Sequence, residues 1–475
     1  MSHFDAATTA VQAALDAGAR YADARVMHRR HESMAAHDGD IEDVTQGEDA
    51  GLGVRALVGG SWGFYAVPDV GDAEARAAGT RAAQIAVASG RVPGPAAALV
   101  PALPAVGSWS SPCAVDPLGV PLSVKGDMLV AATATMRAHG ADVAEGHYAV
   151  WDTAKWFVSS EGHRVDQRIR ECGAGIAATA VGDGETQHRS SGPQYGTRGW
   201  ELVTELDLTA HAARVAEEAR ALLAAPECPA GETTLILGSD QMALQIHESV
   251  GHAIELDRIL GWEAGFAGTS WLDIDQLGPL RYGSELMNIT IDPTIPGALG
   301  SFGFDDEGTP AARRDAVRNG RWVGVLAGRD SAAVAGLDYA GSVRADGWAR
   351  LPMVRMTNVG LEPGPHTLAE MIEATTDGIY METNRSWSID DRRLNFQFGC
   401  ELAYEIKNGR RGRLLRNPTY TGIGPLFWRS MDMLADDVTA WGIPNCGKGQ
   451  PGQTGHTAHP AAAARFTGVR VGVRG

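Results

Sequence analysis

The sequence predicts an α+β fold, in which a mixed α/β N-terminal domain is followed by a β-rich C-terminal domain with an antiparallel, barrel-like sheet. Helical periodicity and strand-like alternation are interspersed in the first half of the chain, whereas short strands and hairpin turns dominate the second half. The chain has 475 residues, which is too long for one ordinary hydrophobic core. We therefore expect two domains, over residues 1–225 and 226–475.

The predicted N-terminal domain begins with a helix in which Phe4, Val11 and Leu15 share an apolar face, and Gly18 ends this segment. Further along, several apolar runs are separated by a glycine that follows Asp, Glu or another glycine. Such pairs indicate hairpin turns. The other expected elements are strands over 33–36, from 41, and over 51–58 and 62–67, a helix over 72–89, a Pro/Ala-rich arm over about 91–106, a helix capped by Ser123 and ending near His139, strands over 146–159, 164–169 and 173–181, turns at 38–39, 59–60, 161–162 and 182–184, and a helix over 208–225.

The predicted C-terminal domain opens with a short apolar strand over 233–237, a turn, and a helix from Gln241 onward. Many short strands with hairpin turns then indicate a curled sheet or a partly closed barrel. We expect strands over 271–275, 288–292, 317–326 around Asn319-Gly320, and 396–408 before Asn408-Gly409, with one helix over 368–376.

Composition and charge narrow the function classes. The formal net charge of −17 is spread along the chain, which argues against a nucleic-acid-binding face. No long apolar run predicts a membrane span, and residues 1–26 lack the pattern of a signal peptide. The five cysteines form no C-x-x-C pair and their number is odd, so we expect a reducing, cytoplasmic setting. Gly51-x-Gly53 lacks the strand–loop–helix context of a dinucleotide site, so no nucleotide cofactor is expected.

The strongest chemical signal is the segment 247–252, which reads HESVGH. His247 and His252, with Glu248 beside the first, are similar to a helical zinc motif, but they stand five residues apart instead of four. A regular α-helix would place the two imidazoles about 140° apart. Two interpretations remain open: either the match is fortuitous and His252 is an ordinary histidine, or a π-turn brings both rings to one side. Gly251 favours the second, because glycine lowers the steric cost of irregular backbone.

A catalytic zinc site needs a third protein ligand and an open position for water. We prefer Cys446, because its Gly-rich surroundings predict an accessible loop and the nearby Lys448 favours the thiolate. Cys400 lies in an apolar strand pattern, where a core role is the more common one. The remaining alternatives are Glu255, Asp257, His456 and His459.

Together these motifs resemble the TldD/PmbA family of metallopeptidases, also called modulators of DNA gyrase. The resemblance rests on the HExxxH string with Gly251 inside it, on DDEGTP at 305–310, on PxxRMTN at 352–358, and on Cys446-Gly447-Lys448. It covers the second half of the chain, whereas the first half matches only in its general α/β character. Because both histidines and Glu248 are kept, the chain resembles the active branch and not the sister branch that has lost the motif.

The resemblance implies a zinc ion held by His247, His252 and Cys446. It also implies unfolded peptides or peptide segments as substrates, and a dimer that encloses the site, formed by two copies or with a PmbA/TldE-like sister chain. In such a site Glu248 would take a proton from the attacking water, or would instead orient an imidazole. The expected function is a zinc-dependent peptidase. The alternatives are a catalytically silent regulatory or scaffold subunit with a structural metal, and a hydrolase of small amides.

Overall fold

The structure is a computed structural model of the chain that describes residues 2–182, 184–192 and 194–472. Asp183, which belongs to the predicted turn over 182–184, lies outside the described residues. The elements of the first half are α1 (His3–Asp16), β1 (Tyr21–His37), β2 (Asp40–Val58), β3 (Ser61–Val67), α2 (Asp72–Ser89), β4 (Val106–Ser110), α3 (Leu122–Ala138), β5 (Val143–Ser159), β6 (Arg164–Gly182), β7 (Glu185–Ser190), β8 (Gln194–Gly196), α4 (Glu201–Glu205) and α5 (Leu208–Ala224).

One sheet organises the first half. Its strand order is β3-β2-β1-β5-β6-β4, and β7 and β8 also pair with β6. β1 pairs over its whole length with β2 and over most of its length with β5, so the predicted short strands are parts of strands 17 and 19 residues long. The predicted turn between β1 and β2 is present, with Asp38 and Gly39 at φ values of 53° and 94°. Such left-handed conformations are typical of tight hairpins.

Small side chains let the helices of this half pack closely. α1 and α2 contact each other through alanines, and a Cβ added to Gly79 of α2 would lie only 2.0 Å from the carbonyl oxygen of Ala10. α3 and α5 pack against β5 and β6, around a core that includes Leu129, Met136 and Val215. Two apolar layers of this kind on one antiparallel sheet give the mixed α/β character that the sequence predicts.

Helix α3 differs from its prediction in how it begins. Its N-cap is Pro121 and its first residue is Leu122, while Ser123 makes no capping hydrogen bond. Ser123 therefore lies inside the first turn, where its side chain cannot reach the free N–H groups as a cap does.

Strand β6 is continuous where the sequence predicts two strands. β5 pairs with it without interruption, and the predicted break near Gly173 is absent. Gly173 serves a different purpose, because a Cβ at this position would lie 2.2 Å from the carbonyl oxygen of Gln194. The missing side chain allows β8 to approach β6.

The second half contains most of the short strands. Its elements are β9 (Gly231–Leu237), α6 (Ser239–Ile246), a π-turn (His247–Gly251), α7 (Leu256–Ile259), β10 (Ile289–Ile291), β11 (Arg314–Arg318), β12 (Arg321–Trp322), α8 (Arg329–Ala335), β13 (Val343–Arg344), β14 (Met353–Val354), β15 (Val359–Leu361), α9 (Leu368–Glu373), β16 (Asp377–Ile389), β17 (Asn395–Lys407), β18 (Arg410–Leu415), β19 (Thr419–Ile423), α10 (Gly424–Arg429), β20 (Met431–Leu434), β21 (Thr439–Lys448), β22 (Gln453–Ala461) and β23 (Ala464–Val471).

Five of these strands close into a barrel, which confirms the predicted fold class. They follow the order β16-β9-β23-β19-β17, and β17 pairs back with β16. Only the β9–β16 pair among these is parallel. Leu235, Phe398, Tyr420 and Phe466 from these strands are fully buried and belong to one large apolar core. Such a closed sheet leaves its own strands without free edges.

Two predictions for the second half are wrong. Residues 271–275 form no strand, and a 3₁₀ turn covers Ile274–Gln276. The apolar residues there pack instead of pairing, since the Trp271 ring lies 5.1 Å from that of Tyr282 and Leu272 is buried. The predicted helix over 368–376 is α9, but α7, α8 and α10 are additional, because helices of four to seven residues are too short to show periodicity.

Buried ion pairs join the first sheet to the second half. The carboxylate of Asp306 accepts a hydrogen bond from Lys155 at 3.0 Å and lies 3.8 Å from Arg25. Glu307 lies 3.3 Å from Arg55. The DDEGTP segment thus places Asp306 and Glu307 against β1, β2 and β5. The predicted two-domain division falls between α5 and β9 and stays a prediction. Within the described residues, no helix is both long and apolar enough to cross a membrane.

Candidate metal centre

The two motif histidines lie on an irregular stretch of helix. α6 ends at Ile246, and the π-turn His247–Gly251 follows directly. The backbone N–H of His252 donates to the carbonyl oxygen of His247, five residues back, at 3.1 Å. This wider turn brings the two imidazole rings together, with centroids 4.7 Å apart. The structure therefore contains the π-turn that the spacing predicts.

Packing is the main reason for a glycine at position 251. A Cβ on Gly251 would lie 2.1 Å from the sulfur of Met356. Gly251 is not among the glycines with positive φ, so an unusual backbone angle does not require it. Met356 belongs to the PxxRMTN motif at 352–358. Two motifs that are far apart in the sequence are therefore in direct contact at the site.

Cys446 completes a group of three donor side chains. Its sulfur lies 3.7 Å from Nε2 of His252, and the donor atoms of His247, His252 and Cys446 all lie within 4.8 Å of one another. Bonds of about 2.1 Å to nitrogen and about 2.3 Å to sulfur at a tetrahedral angle would separate the two atoms by about 3.6 Å. Cys446 lies in β21 and is 5% exposed, so the expected accessible loop is instead a buried strand.

Neighbouring groups fix which nitrogen of each histidine faces the centre. Nδ1 of His459 lies 2.8 Å from the carbonyl oxygen of Val359, which can only accept. Nε2 of His459 is then the acceptor for Nδ1–H of His247, at 2.8 Å. Nδ1 of His252 is in turn held by Glu255 at 3.0 Å. In both motif histidines Nε2 is left with its lone pair free, which is the arrangement found around metal-binding imidazoles.

The protonation states suit a metal site. Burial lowers the pKa of His247 and of His252, which favours the neutral imidazole. Burial on its own would raise the pKa of Cys446, but His252 and Arg355 bring it below the usual value. Metal ligands must be deprotonated, so each of these shifts favours binding.

Glu248 lies beside the donor group and is held by a residue that sequence reasoning missed. Nη1 of Arg393 donates to Oε2 of Glu248 at 2.8 Å. Arg393 occupies the turn between β16 and β17 and has a φ of 60°. Nothing in the local sequence marks this arginine, because it is 145 residues from Glu248 along the chain.

Lys448 takes part in a buried network behind the site. Its ammonium group donates to Asp257 and to the carbonyl oxygen of Val354, and it lies 3.4 Å from Glu255. Burial alone would raise the pKa of Glu255, yet Lys448, His252 and Arg258 hold it well below its usual value. Glu255 therefore stays ionised and accepts from His252. Glu255 and Asp257, the two carboxylates considered as ligands, are engaged as partners of other side chains.

The other candidate ligands do not join the donor group. Cys400 is fully buried in barrel strand β17, and burial raises its pKa well above the usual value. Nδ1 of His456 lies 3.1 Å from Glu171. His459 is in contact with His247 but turns its nitrogen to that ring. The structure thus brings His247, Glu248, His252 and Cys446 together and leaves the alternatives outside.

The donor group opens into a cavity of about 580 Å³. Both halves of the chain line it, although sequence reasoning found no site residue in the first half. β5, β7 and β8 contribute His147, Ser190 and Tyr195, and Trp387 and Trp441 add aromatic surface from the second half. A cleft of this size, lined by aromatic side chains and by polar groups that converge on one point, is typical of a ligand-binding site.

The residues present fit a zinc ion. Two neutral imidazoles and one thiolate are ligands of the borderline-soft kind that zinc prefers, and carboxylate-rich magnesium or calcium chemistry does not match them. Among the described residues, the group has three protein donors and not four. Three protein ligands with an open position are typical of catalytic zinc sites.

Comparison with known proteins identifies the family. Models of the PmbA/TldA metallopeptidase domain 1, central domain and C-terminal domain match residues 22–88, 115–223 and 230–472. A metalloprotease from Methanocaldococcus jannaschii is 28% identical over 402 residues, which is 85% of this chain and 86% of the relative. A zinc metalloprotease TldD homolog from Saccharolobus solfataricus is 25% identical over 209 residues, 44% of this chain and 45% of the relative.

Solved structures share the fold. A putative modulator of a DNA gyrase from Thermotoga maritima has a TM-score of 0.79 at 16% identity and covers 99% of this chain and 100% of its own. TldE from Thermococcus kodakarensis has a TM-score of 0.74 at 15% identity and covers 98% of this chain and 99% of its own. The family models alone span most of the chain, including all the residues of the metal centre. The chain belongs to the PmbA/TldD family of metallopeptidases.

Proposed function

We propose that the protein is a zinc-dependent peptidase that hydrolyses unfolded peptides or peptide segments inside a cavity enclosed by a dimer. The observation that carries this proposal is the convergence of three donor atoms, from His247, His252 and Cys446, on the wall of a cavity that Glu248 also lines. The donor chemistry favours zinc. The metalloprotease names of the relatives support the reaction class.

The chemistry divides between the metal and the chain. When bound, zinc supplies Lewis acidity and lowers the pKa of a coordinated water toward neutrality. Glu248 accepts the proton of the attacking water and passes it to the leaving amine. Arg393 holds one carboxylate oxygen of Glu248 at 2.8 Å, which leaves the other oxygen for the water. His459 and Glu255 keep Nδ1 of the two motif histidines occupied, so that Nε2 of each faces the metal position.

Strand β21 supports an extended peptide as the substrate. It pairs with β22 along one edge. Along its other edge, no described residue forms β-sheet hydrogen bonds with it. Residues 441–447 of β21 line the cavity. A peptide strand added to such an edge gains main-chain hydrogen bonds with little sequence preference. Trp387 and Trp441 offer aromatic surface to its side chains. This cavity is also larger than a small amide requires, which disfavours a hydrolase of small amides.

The catalytically silent alternative is less well supported. A structural zinc site is closed by a fourth protein ligand. His459 lies against His247, but both of its ring nitrogens are engaged by His247 and Val359, and Glu255 is held by His252 and Arg258. The position facing the cavity is thus left for water and substrate.

Exposed apolar side chains support a dimer. Trp262, Phe266, Trp387 and Leu426 are between 48% and 62% exposed. The turn between β16 and β17, which carries Arg393 at the cavity, contacts Ala267 and Gly424, close in the chain to Phe266 and Leu426. Exposed apolar side chains near one another in this way favour an interaction surface. The partner is a second copy or a PmbA/TldE-like sister chain, and the TldE structure shares the fold. Light scattering of the protein, alone and mixed with a sister chain, distinguishes the two, and a monomer that cleaves peptides contradicts the enclosed cavity.

The cytoplasm is the proposed location, and neither membrane nor nucleic acid is a proposed partner. All five cysteines are free, which suits a reducing compartment. The net charge of −17 disfavours polyanions as ligands.

Replacing the proposed proton acceptor tests the mechanism. Glu248→Gln keeps the shape of the side chain but cannot accept the proton, so cleavage of an unstructured peptide should fall by about 10²–10⁴-fold. Zinc content and melting temperature should stay near those of the parent. Glu285→Gln is the control, because Glu285 is 81% exposed and lies outside the cavity. Cleavage near the parental rate removes Glu248 from the mechanism, and loss of zinc makes it a support of the metal.

A further inference from the structure

A second, smaller cavity lies beside the β21–β22 hairpin, next to the metal centre. Its volume is about 60 Å³, which exceeds the roughly 10–15 Å³ that one water requires. Gly455, the pairing partner of Cys446 on β22, lines this cavity. The remaining walls come from β5 and β6 of the first half and from segments near β13 and β14. The cavity therefore lies where the two halves meet.

Cationic side chains outnumber carboxylates around this cavity. Two carboxylates line it, and both are already paired: Asp346 lies 3.4 Å from Arg29, and Glu171 lies 3.1 Å from His456. Lys155 also lines the cavity and is paired with Asp306. These contacts leave two further lining residues, Arg344 and Arg355, without a partner of opposite charge.

The hydrogen bonds of the Arg344 and Arg355 guanidinium groups go only to carbonyl groups. Arg355 is 2% exposed and donates to the carbonyl oxygens of Gln453 and Cys446. Arg344 is half-buried, donates to the carbonyl oxygen of Met356, and lies 5.9 Å from the centroid of the Phe302 ring. Within the part of the chain that the structure describes, neither guanidinium lies within 4 Å of a carboxylate, and Nε of each lacks a hydrogen-bond partner. Burying a charged group in this way is costly unless an opposite charge accompanies it.

The two guanidinium groups are also close enough to repel each other. Burial, and next the charge of Arg355, lower the pKa of Arg344 to about 10, although Glu171, Asp306 and Cys446 act in the opposite direction. An anion between them would relieve this repulsion. Guanidinium groups bind the oxygens of phosphate and sulfate through paired N–H donors, more strongly than they bind water.

We propose that this cavity is a binding site for one phosphate-sized inorganic oxyanion, held by Arg344 and Arg355. The volume admits one such ion and excludes nucleotides or peptides. The threonine hydroxyls of Thr153 and Thr454 line the same cavity and can donate to further oxygens. The site uses none of the zinc-binding side chains, although Arg355 donates to the carbonyl oxygen of Cys446, and it does not depend on the peptidase proposal.

Calorimetric titration of the full chain with inorganic phosphate, at constant ionic strength set by sodium chloride, tests the site. We expect one phosphate per chain with a dissociation constant of about 1 mM or tighter. Arg344→Gln should weaken binding by roughly tenfold or more, because it removes a charge-assisted hydrogen bond. Arg344→Lys retains the positive charge and should bind more tightly than Arg344→Gln. Arg318→Gln is the matched control, since Arg318 is an exposed arginine paired with Asp315.

The titration is repeated on chelator-treated protein, because phosphate can also bind to a metal. Retained binding supports the proposed site, whereas loss of binding on chelation overturns it. Two other results also overturn it: no saturable binding to the parent, and parental affinity in Arg344→Gln. If Arg344→Gln does not fold, the comparison rests on Arg344→Lys and on the phosphate-dependent rise in the parent's melting temperature relative to chloride.

Discussion

Two buried polar regions of this molecule differ in whether their donor and acceptor atoms pair with other residues or face a cavity. In the cluster around Asp306 and Glu307, charged groups from the first sheet and the second half satisfy one another. At the metal centre, the outer nitrogens of His247 and His252 are satisfied, but the inner nitrogens face a cavity. The comparison teaches that burial of charge alone does not mark a functional site. Donor atoms left free toward a cavity do.

The largest expected effect separates two buried cysteines. Cys446→Ala removes a donor from the metal centre. Loss of a residue that only hydrogen-bonds to a metal ligand lowers metal affinity by roughly 10–100-fold, and loss of Cys446 should lower zinc affinity by more than that. Cys400→Ala removes the same atom from the barrel core and should leave zinc binding unchanged. Zinc content by metal analysis and a competitive chelator titration provide the measurement. The opposite result for the two variants would make Cys400 the ligand.

The next largest effect concerns the ion cluster between the halves. Asp306→Asn leaves Lys155 and Arg25 buried without their carboxylate, and the free energy of unfolding should fall by about 3–5 kcal/mol. Asp377→Asn, at an exposed pair with Lys407, should cost less than about 1 kcal/mol. Denaturant unfolding followed by fluorescence measures both. The folded fraction of Asp306→Asn should still bind one zinc per chain, and loss of zinc would show that the two regions are coupled.

A smaller effect tests the outer partner of the metal centre. His459→Ala leaves Nδ1 of His247 without its acceptor, so zinc affinity should fall by about 10–100-fold. His459→Gln supplies a side-chain oxygen in place of the ring nitrogen and should restore part of the loss. His456→Ala is the control, because His456 pairs with Glu171. If Ala and Gln at position 459 give the same zinc affinity, His459 only fills space.

Local sequence determined much of this protein. The five-residue spacing in HExxxH left open an ordinary histidine or a π-turn, and the structure has the π-turn, with Gly251 required for packing against Met356 and not for its backbone angle. Asp38-Gly39, Asn319-Gly320 and Asn408-Gly409 predicted hairpin turns, since each pair adopts positive φ readily. The predicted bounds of α2, at 72–89, also match the structure, because alanine-rich sequence favours helix through its local propensity. The predictions for Ser123 and for residues 271–275 used only local context and were wrong. The structure of these residues depends on contacts with other segments of the protein.

Tertiary structure alone decided what surrounds the motif. Pairing of β21 with β22 buries Cys446 and brings it to His252 from 194 residues away. Arg393 reaches Glu248, and His459 reaches His247, over comparable separations. Such contacts depend on strand register and on closure of the barrel, which no periodicity in the sequence specifies. The sequence alone therefore named the chemical groups, and only the fold determined which nitrogen, oxygen and sulfur atoms face one another.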